Sequence, residues 1–328
     1  MIRPLRLRAL AGLPRNARNS IMMEPLWAIF GTVVLFYAPL YMRSVGLSST
    51  QIGLLGSLTV ALSFLFQLFA APITNRLGRR RTTLIGDLVS WTVPMFVWAF
   101  AHSFAAFALA AVLSASGRIV AVSWSLLVIE DVEAEQQPRV FGIFNLIITG
   151  CGLLTPLIGW LMLRYGVTPT LRGFYFLGGI GMTVMFFWRN AITSETVNGV
   201  AAMRQHSELR VAESLRHTLE VVAGMRGHVG LMGVTAFYVL TVFIEQLSLF
   251  QILFLRETLH FGAGALSLVP PVAALVTLLL YGLALPRLAG RPVMRTLVLA
   301  RVLGLAGAGL LLFVPAGQLG AMLGVIGV

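Results

Sequence analysis

Ionisable side chains are absent from Ser44 to Asn75, and between Leu88 and Gly117 only His102 titrates. The segment that parts these two apolar stretches, "APITNRLGRRRTT" (Ala71 to Thr83), packs four arginines and no acid into thirteen residues. A helix rises about 1.5 Å per residue, so about twenty apolar residues cross a bilayer. By that rule the hydrophobic pattern predicts membrane helices over 22–42, 50–73, 83–101, 104–129, 140–163, 171–189, 229–255, 264–285 and 293–314. A tenth begins near Gln318 and is still running at Val328.

The connections follow turn chemistry. Gly46 to Thr50, "GLSST", is a glycine turn followed by Ser and Thr candidates to cap the second helix. The third and fourth helices are joined by a few residues around His102 and must be antiparallel neighbours. The longest polar stretch, Asn190 to His228, alternates Glu195, Glu208, Glu213 and Glu220 with arginines. Within it Val211, Leu215, Leu219 and Val222 recur at helical spacing, which predicts an amphipathic helix on the membrane surface.

Composition turns this pattern into a statement about solvent. Charged residues make up 11% of the 328, and the hydrophobic set 58%. Soluble domains carry about 25% charged residues, so the main solvent of this chain is lipid. Mean hydropathy of +0.88 agrees. The net charge is +12 and all 24 basic residues are arginine. Such a balance would suit nucleic acid if the arginines shared one folded surface with aromatics between them. They lie instead in the gaps between apolar runs, the pattern of membrane topology, and nucleic acid is excluded. Five arginines precede the first helix, four lie in the second connection, one in the fourth, five run from Arg189 through the long stretch, and three lie in the eighth connection. Eighteen therefore share one side against four (Arg43, Arg164, Arg172, Arg256) on the other. That bias predicts a multi-pass protein of a bacterial-type inner cell membrane, with its N-terminus and long loop in the cytoplasm. Cys151 stands alone, which rules out an internal disulfide and a cysteine metal cluster. The first residues lack the short apolar core and cleavage site of a signal peptide and read as a retained tail.

The order of residues in the basic segment resembles the loop signature "GxLaDRxGRR" of the major facilitator superfamily. Arg76, Gly78, Arg79 and Arg80 match it, whereas Ala71 replaces Gly, Ile73 replaces Leu and Asn75 replaces Asp. The resemblance implies a cytoplasmic latch whose charges bind helix ends of the other lobe and hold the outward-facing state. Asn75 removes the latch carboxylate. Asp87, Glu130 and Asp131, at the same membrane level, are candidates to compensate, or else they simply face headgroups. Arg43 to Arg76 and Arg256 to Arg287 are similarly spaced, and "PRLAGR" (Pro286 to Arg291) reads as a degenerate second copy of the segment, as a parallel repeat of six-helix halves requires. "CGLLTPLIGW" (Cys151 to Trp160) keeps only Pro156 and Gly159 of a fifth-helix motif common in proton-coupled exporters; Thr155 and Trp160 replace its glycines. The resemblance implies an all-α membrane protein of the two-lobe helical bundle type: a tail (1–21), an N-terminal six-helix lobe (22–189), a cytoplasmic linker (190–228) and a partial C-terminal lobe (229–328). Since the family has twelve helices, the chain is expected to be a fragment.

In the family, helices 1, 4, 7 and 10 line the central cavity. The fourth carries Arg118 near the midplane, where a charge costs at least ~2.5–3.5 kcal/mol and rarely faces lipid. Ser114, Arg118 and Ser125 fall on one helical face. Arg118 either serves the cavity or bonds neighbouring carbonyls. On the seventh helix Tyr238, Thr241, Glu245 and Ser248 share a face, with Glu245 about 15 Å from the outer end. Glu245 is either a proton-coupling carboxylate or a fixed packing partner. Glu24 either lies inside the first helix or caps it, with Pro25 at the first helical position. The five histidines show no HxxxH or HExxH spacing and there is no P-loop, so neither a membrane enzyme nor an ATP-driven pump is expected. A channel would need a continuous polar series. The expectation is a secondary transporter, monomeric in the lipid bilayer and without metal or cofactor. A proton gradient would drive export of small organic molecules; the alternatives are uptake of a sugar or other metabolite or, from another class, a membrane-embedded structural or enzymatic protein.

Overall fold

The computed structural model describes residues 10, 12–206, 211–224, 227–283 and 293–326; within these the side chains of 206, 211, 212, 214, 217, 218, 221, 222, 243–249, 281–283 and 293–301 are outside the description. The described residues form helices and no strands. In chain order these are α1 (Arg15–Ser44), α2 (Ser49–Leu77), α3 (Arg79–Phe100), α4 (Phe104–Ile129), α5 (Gln137–Tyr165), α6 (Val167–Ile192), α7 (Val197–His206), α8 (Val211–Gly224) and α9 (Val229–Leu253). They continue with α10 (Ala263–Leu266 and Val269–Leu283), α11 (Val293–Leu310) and α12 (Leu319–Ile326). Among the described residues, seven helices are long and apolar enough to cross a membrane: α1 to α6 and α10. The predicted amphipathic helix is α8, packed beside α2, and α7 is a further linker helix. The "PRLAGR" segment lies outside the described residues.

Local chemistry explains the ends. Ser48 caps α2 in a capping box: its Oγ accepts the Gln51 N–H (3.2 Å) and Gln51 Oε1 accepts the Ser48 N–H (2.9 Å). The first helix starts at Arg15, inside the expected tail, so Glu24 and Pro25 lie within it and the capping alternative for Glu24 fails. Hydropathy missed these two turns because Arg15, Asn16 and Asn19 are satisfied by tertiary contacts. Arg15 Nε and Asn19 Nδ2 donate to the Ile192 carbonyl (3.0 and 2.7 Å), and Asn16 exchanges two bonds with the Ser194 backbone.

Three spans of the N-terminal half depart from regular helix. α3 widens into a π turn at Leu88–Thr92 just ahead of Pro94, whose ring clashes with the carbonyl four residues back. α4 tightens at Ser116, where Ser116 N–H bonds the Leu113 carbonyl and Ile119 N–H bonds the Ser116 carbonyl. α5 tightens at Gly152–Leu154 before Pro156.

Six helices form the N-terminal bundle, with α1 packed on α5 and α6, α2 on α4, and α3 on α6. Its centre holds Tyr37, Tyr41, Phe107, Tyr175, Met182 and Phe186, each essentially inaccessible. Tyr41, Trp98, Phe107 and Tyr175 contact one another ring to ring at 4.9–6.4 Å between centroids. The outer surface keeps large apolar groups open, such as Phe100 (67% exposed) and Leu163 (66%). In water such a surface would drive association; in lipid it is matched. Phe107→Ala should therefore lose about 3–5 kcal/mol and lower the thermal midpoint in detergent by many degrees, whereas Phe100→Ala should stay within about 0.5 kcal/mol of the parent.

Candidate functional site

The basic segment lies where α2 gives way to α3. Gly78 is the C-terminal cap of one helix and the N-terminal cap of the next, at φ 84° and ψ 163°. That region is open essentially to glycine. Space demands glycine as well, since a Cβ there would lie 2.5 Å from Glu195 Oε2 and 2.8 Å from the Met203 sulfur.

Glu195, in the segment between α6 and α7, closes this junction. Its Oε1 accepts the Arg79 N–H (2.9 Å) and its Oε2 the Arg80 N–H (3.0 Å). A carboxylate at a helix start satisfies orphan donors and meets the positive end of the helix dipole. The Arg79 guanidinium turns back into the bundle, with the residue only 6% exposed. Its Nη2 lies 2.9 Å from Glu130 Oε1, its Nε donates to the same carboxylate, and its Nη1 donates to Asn75 Oδ1 at 3.1 Å. Thr196 donates its hydroxyl to Glu130, and Arg80 Nε donates to the Asn190 carbonyl at 2.9 Å. Asn75 thus supplies one neutral acceptor, and the carboxylates come from Glu130 and Glu195. Deeper in the bundle Asp87 pairs with Arg189, both side chains 5% exposed. Glu24, itself buried, lies within electrostatic range of both.

Arg76 and Asp131 are exposed; Asn16 Nδ2 is 3.5 Å from Asp131 Oδ2. Partial burial, then Glu130 and Glu195, push the Asp131 carboxyl above the ordinary carboxylate range. Among the described residues, the partners of the basic segment belong to α2, α4, α6 and the start of the linker. Contact with helix ends of the second lobe, which the family resemblance implied, is not found among them.

The lobes meet in polar contacts elsewhere. Arg118 Nη1 of α4 donates to the Tyr238 hydroxyl of α9 at 3.1 Å, and the two line a cavity with Ser63, Phe64 and Gln67 of α2 and Val242 of α9. Thr241 is half-buried on the same helix. Glu245 and Ser248 lie on α9, but their side chains are outside the described residues. Ser114 lines a different cavity from Arg118. Ser125 is half-buried.

At the end remote from the basic segment, Arg43 of α1 and Glu257, just beyond α9, form an ion pair at 2.5 Å, with Ser49 Oγ 3.5 Å from the same carboxylate. Below it α5 and α10 touch closely. The buried Thr155 hydroxyl donates to the Ser267 carbonyl (3.0 Å), and a Cβ on Gly159 would fall 2.3 Å from Ser267 Oγ. Gly159, which matches the fifth-helix motif, and Thr155, which departs from it, form a seam between lobes.

Sequence reasoning missed Arg189, Glu195 and Thr196 as site residues. A signal existed for the first: Asp87 and Arg189 are lone opposite charges at similar depth from one membrane face. Nothing in the sequence tied Glu195 to a segment more than a hundred residues away. Removing its cap by Glu195→Ala should cost about 1–2 kcal/mol and speed hydrogen exchange at the Arg79 to Thr82 amides. Gly78→Ala should cost more, because strain of about 1–3 kcal/mol adds to the same lost contact; a thermal midpoint no lower than that of Glu195→Ala would contradict the geometry.

Comparison with known proteins agrees with this architecture. The chain is 26% identical over 145 residues to the quinolone resistance protein NorA of Staphylococcus aureus, a match spanning 44% of this chain and 36% of the relative. Among solved structures, PepTSo2 superposes with a TM-score of 0.60 at 17% identity, covering 95% of this chain and 81% of the other. The xylose transporter XylE of E. coli superposes at 0.54 with 13% identity, covering 95% and 78%. At those identities the likeness is one of fold. The family model of the Major Facilitator Superfamily matches residues 26–328, so this all-helical, multi-pass chain belongs to that superfamily of transporters.

Proposed function

We propose that the protein is a secondary active transporter that exports small organic molecules in exchange for protons, by alternating access, with its basic end in the cytoplasm. The observation that carries this reading is the Arg118–Tyr238 hydrogen bond, a midplane arginine meeting the opposite lobe at the wall of a cavity. A cation held there by protein rather than lipid marks a ligand or ion path. Export is favoured over uptake by the relative whose name records drug resistance. The arginine bias favours the orientation. No cofactor enters the scheme, and the working unit is a monomer.

Glu245 is the coupling carboxylate in this scheme. It stands seven residues beyond Tyr238 on α9, hence on the same helical face. Ionised, it attracts Arg118 and favours one arrangement of the lobes; protonated, it releases Arg118. Desolvation offsets much of the attraction, so the net switch is a few kcal/mol, enough to shift a two-state equilibrium tenfold or more. The ion pair Arg43–Glu257 and the α5–α10 seam close the far end and are the contacts that must open in the other state.

Glu245→Gln should abolish accumulation driven by ΔpH while leaving downhill exchange of substrate largely intact. Retained accumulation in proportion to ΔpH, in a variant that inserts normally, would show that Glu245 only packs. A disulfide between Arg43→Cys and Glu257→Cys should halt transport reversibly; undiminished transport by the oxidised double variant would remove the far-end closure from the cycle. Export itself is tested by drug resistance in expressing cells, and a loss of uptake on deletion would instead favour a metabolite permease.

A further inference from the structure

Three ionisable side chains that the transport scheme leaves unused gather inside the N-terminal lobe. Glu24 stands about 14 Å along α1 from Arg15, and Asp87 about 12 Å along α3 from Arg79. Arg189, near the end of α6, reaches in from the same side to meet Asp87. The residues are 6%, 3% and 4% exposed.

Their charges do not balance. Asp87 takes the Arg189 guanidinium through Nη2, and that pair is neutral. Glu24 lies in the field of both, yet its own carboxyl has neither hydrogen bond nor ion pair among the described residues. The other elements packed on α1 bring it no cation. Cys151 of α5 lies within its electrostatic range. On α4, Asp131 meets α1 at Asn16, about 12 Å nearer the basic end, Glu130 is held by Arg79, and Arg118 bonds Tyr238. The apolar part of α2, from Ser49 to Asn75, has no ionisable side chain. The side chains of 243–249 on α9, Glu245 among them, are outside the described residues.

A buried carboxylate without a partner is costly, whereas its protonated form carries no charge to desolvate. One proton makes two carboxylates and one guanidinium neutral. A metal ion would lie against the Arg189 guanidinium, and no group of three or more His, Cys, Asp or Glu that could hold one occurs among the described residues. Arg189 has five N–H donors, of which Nη2 alone meets a carboxylate, so the same guanidinium can answer a second acid. The backbone beside Asp87 is irregular too: α3 widens into its π turn at Leu88, and such turns are frequent at functional sites.

We propose that Glu24, Asp87 and Arg189 form a proton-binding site, in which Glu24 carries the proton while Asp87 holds Arg189. Release breaks the Glu24 O–H bond, leaves the electron pair on its carboxylate and hands the proton to water. Glu24 and Asp87 then compete for one guanidinium. Use of this proton in coupling rests on the transport reading; the site itself does not.

The test is infrared absorption of the purified protein in lipid nanodiscs at neutral pH, read at the carbonyl stretch of protonated carboxylic acids. The parent should show a band that Glu24→Gln removes and Glu245→Gln leaves in place. In D2O the band should shift down, and alkaline pH should replace it with carboxylate absorption. Asp87→Asn should remove it as well, although Glu24 is still present, because Arg189 is then free to hold Glu24 ionised. Identical carbonyl spectra for the parent and Glu24→Gln overturn the site. So does a Glu24 band that neither D2O nor alkaline pH moves, which marks a sealed packing acid, or one that persists in Asp87→Asn. Should Asp87→Asn fail to fold, the D2O shift and the alkaline titration of the parent decide. The expected spectra, together with no ΔpH-driven transport in proteoliposomes, uphold the site and count against the transport reading.

Discussion

A guanidinium drawn inside a helical bundle has to be answered where it sits, and the basic end of this protein is arranged around that demand at Arg79. Leaving one charge of a buried pair without its partner costs about 3–5 kcal/mol, far more than any surface contact contributes. Glu130 supplies the charge, Asn75 a further acceptor, and Glu195 fixes the backbone from which the arginine projects. Three distant parts of the chain are brought to one point: the α2–α3 junction, the end of α4 and the exit of α6. The linker therefore starts from a clamped position, although α7 and α8 that follow it carry exposed polar residues such as Arg204 and Glu213.

The same accounting explains why irregular backbone gathers where it does. Lipid offers no hydrogen bonds, so a span can break its ladder only where protein groups or a cavity take over. The turn at Ser116 is satisfied by tightened bonds and lies beside Ser90. The break in α10 at Ser267 gives its carbonyl to Thr155 across the lobe boundary. Between helices in lipid there is little hydrophobic drive, and close approach of small residues does the work instead. Gly159 against Ser267 is that approach, and it forms part of the boundary between the lobes.

Much was legible in the sequence. Charge-poor stretches of twenty or more residues located the membrane helices, because crossing hydrocarbon is a demand on composition and length alone. Arg118 and Tyr238 could be named as cavity candidates from depth and helical spacing, but their mutual hydrogen bond exists only once the helices pack. The start of α1 was not legible. Asn16 and Asn19 look like a solvated tail until the α6 end is present to accept their bonds. Nor was the fact that Ser114 and Arg118 line different cavities, which helical spacing alone does not register.

What the sequence by itself determined is the solvent and the scaffold: lipid, spans and an arginine-rich junction between two of them, all consequences of how each residue partitions between water and hydrocarbon. What only the tertiary structure decided is which charge answers which. Asp87 was a candidate for the latch and instead holds Arg189. Asn75 seemed to open a deficit of charge, and Glu195, far away in sequence, closes it at the helix start. Partition is a property of single residues and can be read along a chain. Pairing in a low dielectric depends on distance and shared burial, which exist only once the helices have packed.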